Sequence, residues 1–272
     1  MRFNYFAQRR KYAMEASFFI LYFFYFLFFT FYFSSCKSHP DEVPPVKKEV
    51  VIIYKEREEK KPLPVNRDTS YLEYVFAGKD LVSIKDLDST IKINLKYSDT
   101  SNFLKINLYD GLRNAYLTCD AALRLASAQC LLKQQNKHLS LVVFDAARPL
   151  HIQQIMWDSL KMPDSVKVHY LALPNQTSLH NYGCAVDVGI YNDSAKKMLD
   201  MGTEYDTFNK LSQPFYELVF IRDSTLSPEA YQNRKLLRSV MKRAGYASIL
   251  SEWWHFSICT KPQAVLKYKL IF

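Results

Sequence analysis

Two short stretches hold the side chains best suited to chemistry. Ser178-Leu179-His180-Asn181-Tyr182-Gly183-Cys184-Ala185-Val186-Asp187 offers one imidazole and one carboxylate, and Glu252-Trp253-Trp254-His255-Phe256 offers another of each. Two His and one Asp make three protein ligands, the number a catalytic zinc site uses while leaving its fourth position open. Glu252 is then spare for proton transfer. A lone histidine among six would say little. Two ligand-bearing pairs, each set in apolar sequence, point to one Zn2+ per chain on His180, Asp187 and His255.

The spacings constrain the backbone. His180 and Asp187 are seven apart, and an odd offset in an unbroken strand turns two side chains to opposite faces. Either His180 precedes the strand or the chain bulges between them, with Gly183 the place for the irregularity. For Glu252 and His255, three apart, a turn at about Glu252 followed by a strand through Phe256 has the same effect. Alternation also argues against Cys184 as a further ligand.

Other segments must carry these two. Ile91, Ile93, Leu95 and Tyr97 alternate with polar residues, which predicts a half-buried strand. Leu117, Ala121, Leu125, Ala128 and Leu132 recur at helical spacing, with Thr118 as a candidate cap. Residues 139–144 form an apolar strand that ends at Asp145-Ala146-Ala147-Arg148. Pro149 then suits the first turn of a helix through Leu160, with Ile152, Ile155 and Met156 inward. Arg148 thereby sits at a strand-to-helix junction. Residues 161–177 read as loop, and Asn192-Asp193-Ser194 as a turn. Ser227-Pro228 opens a helix closed by Gly245, with Leu237, Val240, Met241 and Ala244 as its stripe. Residues 246–250 and 253–259 complete the sheet.

At these residues the chain resembles a known family. Ser-x-His-x-x-Gly-x-Ala-x-Asp followed by Glu-Trp-Trp-His is similar to the zinc D-alanyl-D-alanine dipeptidases of the VanX type. These belong to a wider group of D,D-peptidases that share a fold with the hedgehog signalling domain. Asp145-Ala146-Ala147-Arg148-Pro149, Asp200-Met201-Gly202-Thr203-Glu204-Tyr205-Asp206 and Asn233-Arg234-Lys235-Leu236-Leu237 extend the likeness from about residue 87 to about 258. The resemblance implies an α+β domain: a mainly antiparallel sheet with helices packed on one side. It implies hydrolysis of the small D,D-dipeptide D-Ala-D-Ala in cell-wall metabolism, with Glu252 as base and Arg148 stabilising the oxyanion. Asp206 would recognise the free amino group, and Ser178, Tyr97 and Tyr109 would contact substrate. A D,D-carboxypeptidase or another peptidoglycan-stem peptidase on the same site is the nearest alternative. A non-catalytic zinc or cell-wall-binding module is a more distant one, which the spare Glu252 disfavours.

Composition agrees with one domain behind an anchor. Of 272 residues 49% are hydrophobic, and formal net charge is +9. The first 35 residues hold Arg2, Arg9, Arg10 and Lys11 against Glu15; taking that +3 from +9 leaves +6, spread without a dense block. No helix-turn-helix, zinc-finger spacing or RNP-like motif accompanies the charge, so nucleic acid is not an expected partner. Residues 16–36 carry no charge, and 17–33 are nearly all aromatic or aliphatic. This reads as a signal peptide, lipoprotein signal or membrane anchor over 1–36, with Cys36 as a lipidation site after Ser34-Ser35. Either way Arg9, Arg10 and Lys11 stay inside and the rest lies outside a bacterial inner membrane. Residues 37–80, rich in Pro and mixed charge, read as a tether, and 81–272 as the zinc dipeptidase domain. Beyond Cys36, the cysteines are Cys119, Cys130, Cys184 and Cys259; an oxidising compartment permits disulfides in any of three pairings, and Cys184 and Cys259, in the two metal-bearing segments, stand close enough in the pattern to pair but read more readily as buried free thiols.

The anchor reading predicts that the native protein fractionates with membranes, its domain exposed on the outer side. If it is acylated, Cys36→Ala should abolish labelling by a lipid precursor. Soluble cytoplasmic protein in the native host would contradict both forms of the anchor.

Overall fold

Helices and strands interleave along the chain: α1 (Tyr71–Ala77), β1 (Leu81–Ser83), α2 (Ile84–Leu87), β2 (Lys92–Ile93), β3 (Tyr116–Thr118), α3 (Cys119–Gln135), β4 (Leu139–Asp145), α4 (Leu150–Ser159), α5 (Asp164–Lys167), β5 (Ala185–Asn192), β6 (Lys197–Met198), α6 (Glu217–Arg222), α7 (Pro228–Arg243), β7 (Ala247–Ser248), β8 (His255–Ser257) and α8 (Lys261–Lys267). The structure is a computed structural model that describes residues 71–168 and 171–272. The apolar segment 17–33 and Cys36 lie outside the described residues. Among the described residues no helix is long and apolar enough to cross a membrane.

The main sheet runs β2-β4-β5-β8-β7, with β6 also pairing β5. β2 is parallel to β4, and every other pairing in this sheet is antiparallel. The mainly antiparallel α+β expectation holds. On β5, Val186, Val188 and Ile190 are fully buried on one face, while Asp187 and Gly189 occupy the other. α3 and α7 pack on each other and on β4 and β5. The α7 stripe of Leu237, Val240, Met241 and Ala244 is buried as expected. Ser227 Oγ caps this helix, accepting from Ala230 N at 3.0 Å.

Several local expectations change. Ile91, Leu95 and Tyr97 are buried, but the strand is only Lys92–Ile93, because Lys96–Ser98 winds into a 3-10 turn. α3 starts at Cys119, Leu117 belongs to β3, and Thr118 makes no capping bond, its Oγ1 being buried without a partner. On α4, Ile152 and Met156 are buried while Ile155 is exposed. Residues 161–177 include α5. Residues 71–80, read as the end of the tether, contain α1, whose Leu72 and Phe76 join the core. β7 and β8 are shorter than the sequence suggested.

Two backbone irregularities place the polar residues. In β4, Val143 opposes Val188 and Asp145 opposes Asp187, so Phe144 is an extra residue and the strand bulges there. The bulge brings Asp145 to the face it would miss by simple alternation. The Phe144 ring lies over Gly189, where a Cβ would meet it at 2.8 Å. Ahead of β5, Leu179–Tyr182 forms a 3-10 turn that Gly183 closes at φ 64. His180 therefore precedes the strand, the first of the two options its spacing left open.

Gly183→Ala should be costly. It would put a side chain in the left-handed region, and its Cβ would sit 2.9 Å from Leu81 Cδ2 and 3.3 Å from Thr118 N. A loss of about 1–2 kcal/mol is expected, read as a melting temperature lower by about 2–8 °C. An unchanged melting temperature would contradict this account of the turn.

Candidate metal centre and active-site cleft

The register of three strands sets polar residues in one row. Asp187 lies opposite Asp145 on β4 and opposite His255 on β8, and opposed antiparallel residues project from the same face. His180 enters from the turn before β5. Its Nδ1 donates to the Ala146 carbonyl at 2.7 Å, leaving the Nε2 lone pair toward the row. Nε2 lies 3.3 Å from Asp187 Oδ1 and 3.1 Å from His255 Nδ1. His255 Nδ1 lies 3.0 Å from the same Oδ1. A tetrahedral zinc with bonds of about 2.0–2.1 Å holds its ligand atoms roughly 3.3–3.4 Å apart. The triangle of donor atoms needs to open by only a few tenths of an ångström to take such an ion. Two imidazole nitrogens with one carboxylate oxygen suit zinc and its neighbours rather than calcium or magnesium.

One main-chain and one side-chain bond lock the His180 turn to the corner after β4. Arg148 N donates to His180 O at 3.0 Å, and Asn181 Nδ2 donates to Arg148 O at 2.8 Å. Thr118 N donates to Gly183 O at 2.8 Å. Ser178 caps the turn, its Oγ accepting from His180 N at 3.3 Å.

Arg148 is buried and fully oriented. Its Nε donates to Asp145 Oδ2 at 2.8 Å, its Nη2 donates to the same oxygen, and its Nη1 donates to Gln153 Oε1 at 2.8 Å. Gln153 is held in turn through Nε2 to Ala172 O at 2.9 Å. Burial alone would lower the guanidinium's pKa, but Asp145 together with the surrounding Tyr97, Tyr109 and Tyr205 outweighs it and holds the pKa above its ordinary value. Of five guanidinium N–H groups, three are spent on these contacts. The remaining two belong to Nη1 and Nη2 of a residue that lines the cleft.

A second carboxylate faces the cleft from another direction. Asp206 Oδ2 accepts from Tyr97 Oη at 2.8 Å. Burial raises its pKa well above the ordinary range; the Tyr97 bond opposes this and the charge of Asp187 adds to it. Its φ of 57 is a left-handed conformation unusual outside glycine, the kind of local strain that collects at functional sites. Glu252 lines the same cleft as the row, as does Trp254. Burial pushes its carboxyl up to about 7, with His255 lowering and Asp187 raising it. Asp187 behaves oppositely: burial raises its pKa, but the two imidazoles outweigh that and hold it well below the usual range.

The cleft that joins these groups measures about 180 Å³, below the range typical of sites for drug-sized ligands. His180, Asp187, His255, Glu252, Arg148 and Asp206 all line it. So do Ser178 and Tyr97. Tyr109, expected to contact substrate, is not among the lining residues: it is fully buried, stacks edge-on against Tyr97 at 5.7 Å, and donates to Asp145 Oδ1. Three participants had no assigned role: Asp145, Gln153 and Tyr205, whose Oη donates to Asp187 Oδ2 at 3.0 Å. Asp145 and Tyr205 stand inside motifs the sequence already displayed. Cys184 and Cys259 bring their sulfurs to 3.4 Å and are free thiols.

A match to the D-ala-D-ala dipeptidase family spans residues 78–269. The D-alanyl-D-alanine dipeptidase of Escherichia coli K12 is 31% identical over 185 residues, covering 68% of this chain and 86% of the relative. That of Synechocystis is 29% identical over 177 residues, covering 55% and 71%. Among solved structures, the LdcB LD-carboxypeptidase aligns over 69% of this chain and 71% of its own, at 18% identity and a TM-score of 0.36.

The shifted Glu252 carries a stability signature. A carboxyl whose pKa rises on folding holds its proton better folded than unfolded. Between its ordinary 4.5 and about 7 its contribution to stability is therefore lost as pH rises. Glu252→Gln removes that contribution alone. In metal-free protein the variant should match the parent near pH 4.5 and exceed it in guanidinium unfolding at pH 8. Equal stability at both pH values would contradict the burial of this carboxylate.

Proposed function

We propose a reaction for this chain, which belongs to the D-alanyl-D-alanine dipeptidase family: zinc-dependent hydrolysis of D-Ala-D-Ala to two molecules of D-alanine, within cell-wall peptide metabolism. One arrangement carries the reading. Three donor atoms converge at 3.0–3.3 Å in a cleft of about dipeptide size, beside a half-buried Glu and a buried Arg and within reach of a separate carboxylate.

His180 Nε2, Asp187 Oδ1 and His255 Nδ1 would hold the zinc, which when bound supplies a Lewis acid that acidifies water and polarises a carbonyl. Glu252 takes the proton of the attacking water and delivers it to the leaving amine. A carboxyl raised toward neutral pH suits both halves of that task. The two remaining N–H groups of Arg148 receive the negative charge that develops on the carbonyl oxygen, and Asp145 and Gln153 fix their direction. The buried Trp254 lines the cleft with the base and shields it.

Asp206 selects the substrate's free amino terminus. In the empty cleft burial keeps this carboxyl protonated more readily than usual. An arriving ammonium supplies the opposing charge and ionises it. An N-acylated or internal residue brings none, leaving a half-buried carboxyl poorly satisfied. Ser178, whose Oγ accepts the cap bond, keeps its O–H for the substrate. The proposal puts the domain outside a bacterial inner membrane, held by segment 17–33 or by a lipid on Cys36. The support is the basic, apolar and Cys-ended pattern of residues 1–36.

Zinc-loaded protein incubated with D-Ala-D-Ala, its N-acetyl form, L-Ala-L-Ala and a pentapeptide stem should release alanine from the first alone. Release from the stem instead would select a D,D-carboxypeptidase. Glu252→Gln should keep stoichiometric zinc and lose about 100–10,000-fold in kcat. Arg148→Lys, which preserves a charge beside Asp145, should keep zinc and lose about 100–1000-fold. Asp206→Ala should raise KM and narrow the gap between D-Ala-D-Ala and its N-acetyl form. Elemental analysis and steady-state kinetics check all three, and near-normal kcat/KM in Glu252→Gln would remove the mechanism.

A further inference from the structure

Tyr205 presents a hydroxyl to both halves of the cleft. Its Oη donates to Asp187 Oδ2 at 3.0 Å and lies 3.3 Å from Tyr97 Oη. Tyr97 in turn donates to Asp206 Oδ2 at 2.8 Å. Two hydroxyl protons thus face three contacts. The Tyr97 proton is committed to Asp206 by the shorter bond. The Tyr205 proton goes to Asp187, because a carboxylate outcompetes a phenol oxygen as acceptor. The ring has little freedom to withdraw it: Phe144 lies at 5.0 Å, Trp254 at 5.3 Å and Tyr97 at 6.4 Å.

The two oxygens of Asp187 are therefore divided. Oδ1 faces both imidazole nitrogens, and Oδ2 is engaged by Tyr205. We propose that Tyr205 is a positioning residue for the metal: its hydroxyl occupies Asp187 Oδ2, so that this carboxylate offers one oxygen to the ion and is aimed before the ion arrives. The inference rests on the reading of His180, Asp187 and His255 as ligands. Its consequence is chemical. A carboxylate that closed on the ion through both oxygens would fill the position that a catalytic site keeps open. One hydroxyl prevents this, and partners of this kind behind a ligand are typically worth about 10–100-fold in metal affinity. The same hydroxyl borders the tyrosine that holds the amino-terminal clamp, so ligand geometry and substrate recognition share one aromatic cluster.

Tyr205→Phe deletes the oxygen and keeps the ring. Zinc affinity is measured by competition with a chromogenic chelator on the full chain, alongside the melting temperature of the metal-free protein. The expected result is a zinc dissociation constant about 10–100-fold higher than the parent's, with the metal-free melting temperature unchanged. Tyr97→Phe, one hydroxyl further along the same chain, should leave zinc affinity at the parental value. Parental affinity in Tyr205→Phe would overturn the proposal while leaving the ligand assignment intact. An equal loss in Tyr97→Phe, or a metal-free melting temperature that falls in step, would also overturn it by pointing to general loosening. A parent chain that takes up no stoichiometric zinc would bring down both this proposal and the ligand reading on which it rests.

Discussion

The cleft depends on the lateral register of β4, β5 and β8. Asp145, Asp187 and His255 stand in one row because each opposes the next across an antiparallel pair. A shift of one residue in either pairing would turn part of the row to the helix-covered face. The bulge at Phe144 is what lets Asp145 join it, since Val143 beside it faces the other way with Val188. His180 is added from outside the sheet, by a turn whose main chain is tied to the residues that follow β4. Register, bulge and turn together convert distant sequence positions into a triangle of donor atoms.

Such a row is electrostatically expensive. Asp145 and Asp187 are both buried and adjacent, and isolated buried carboxylates would take up protons. Each is compensated separately. Asp145 is bound by Arg148 through Nε and Nη2 and by the Tyr109 hydroxyl. Asp187 is held ionised by His180 and His255 despite its burial. The carboxyls of Asp206 and Glu252 are left without a cation of their own, and both are raised by burial. The division matches the proposed roles, in which the compensated carboxylates hold structure and ligand geometry and the raised ones exchange a proton or accept a charge.

Much of this was legible in the sequence, for physical reasons. Ligand chemistry needs particular residue types, so His180, Asp187, Glu252 and His255 announce themselves, and the odd spacing of His180 from Asp187 already required a break near Gly183. The helical stripe of α7 and the apolar run of β4 were equally plain. What escaped was set by tertiary context. Tyr109 looked like a wall of the cleft but is fully buried against Asp145. Asp145 looked like the polar end of an apolar strand, because a bulge at a phenylalanine leaves no glycine or proline to mark it. β2 shrank to two residues because its pairing with β4 ends where the Tyr97 turn begins. Tyr205 gave no sign from spacing that its hydroxyl would reach a residue eighteen positions away.

The most direct test is a crystal structure of the zinc-loaded protein with anomalous data collected at the zinc edge. The account predicts one anomalous peak in this cleft, about 2.0–2.2 Å from His180 Nε2, Asp187 Oδ1 and His255 Nδ1, with Glu252 outside bonding distance and Asp187 Oδ2 still on Tyr205. A peak ligated by Glu252, or zinc bound elsewhere with the triangle left empty, would contradict it.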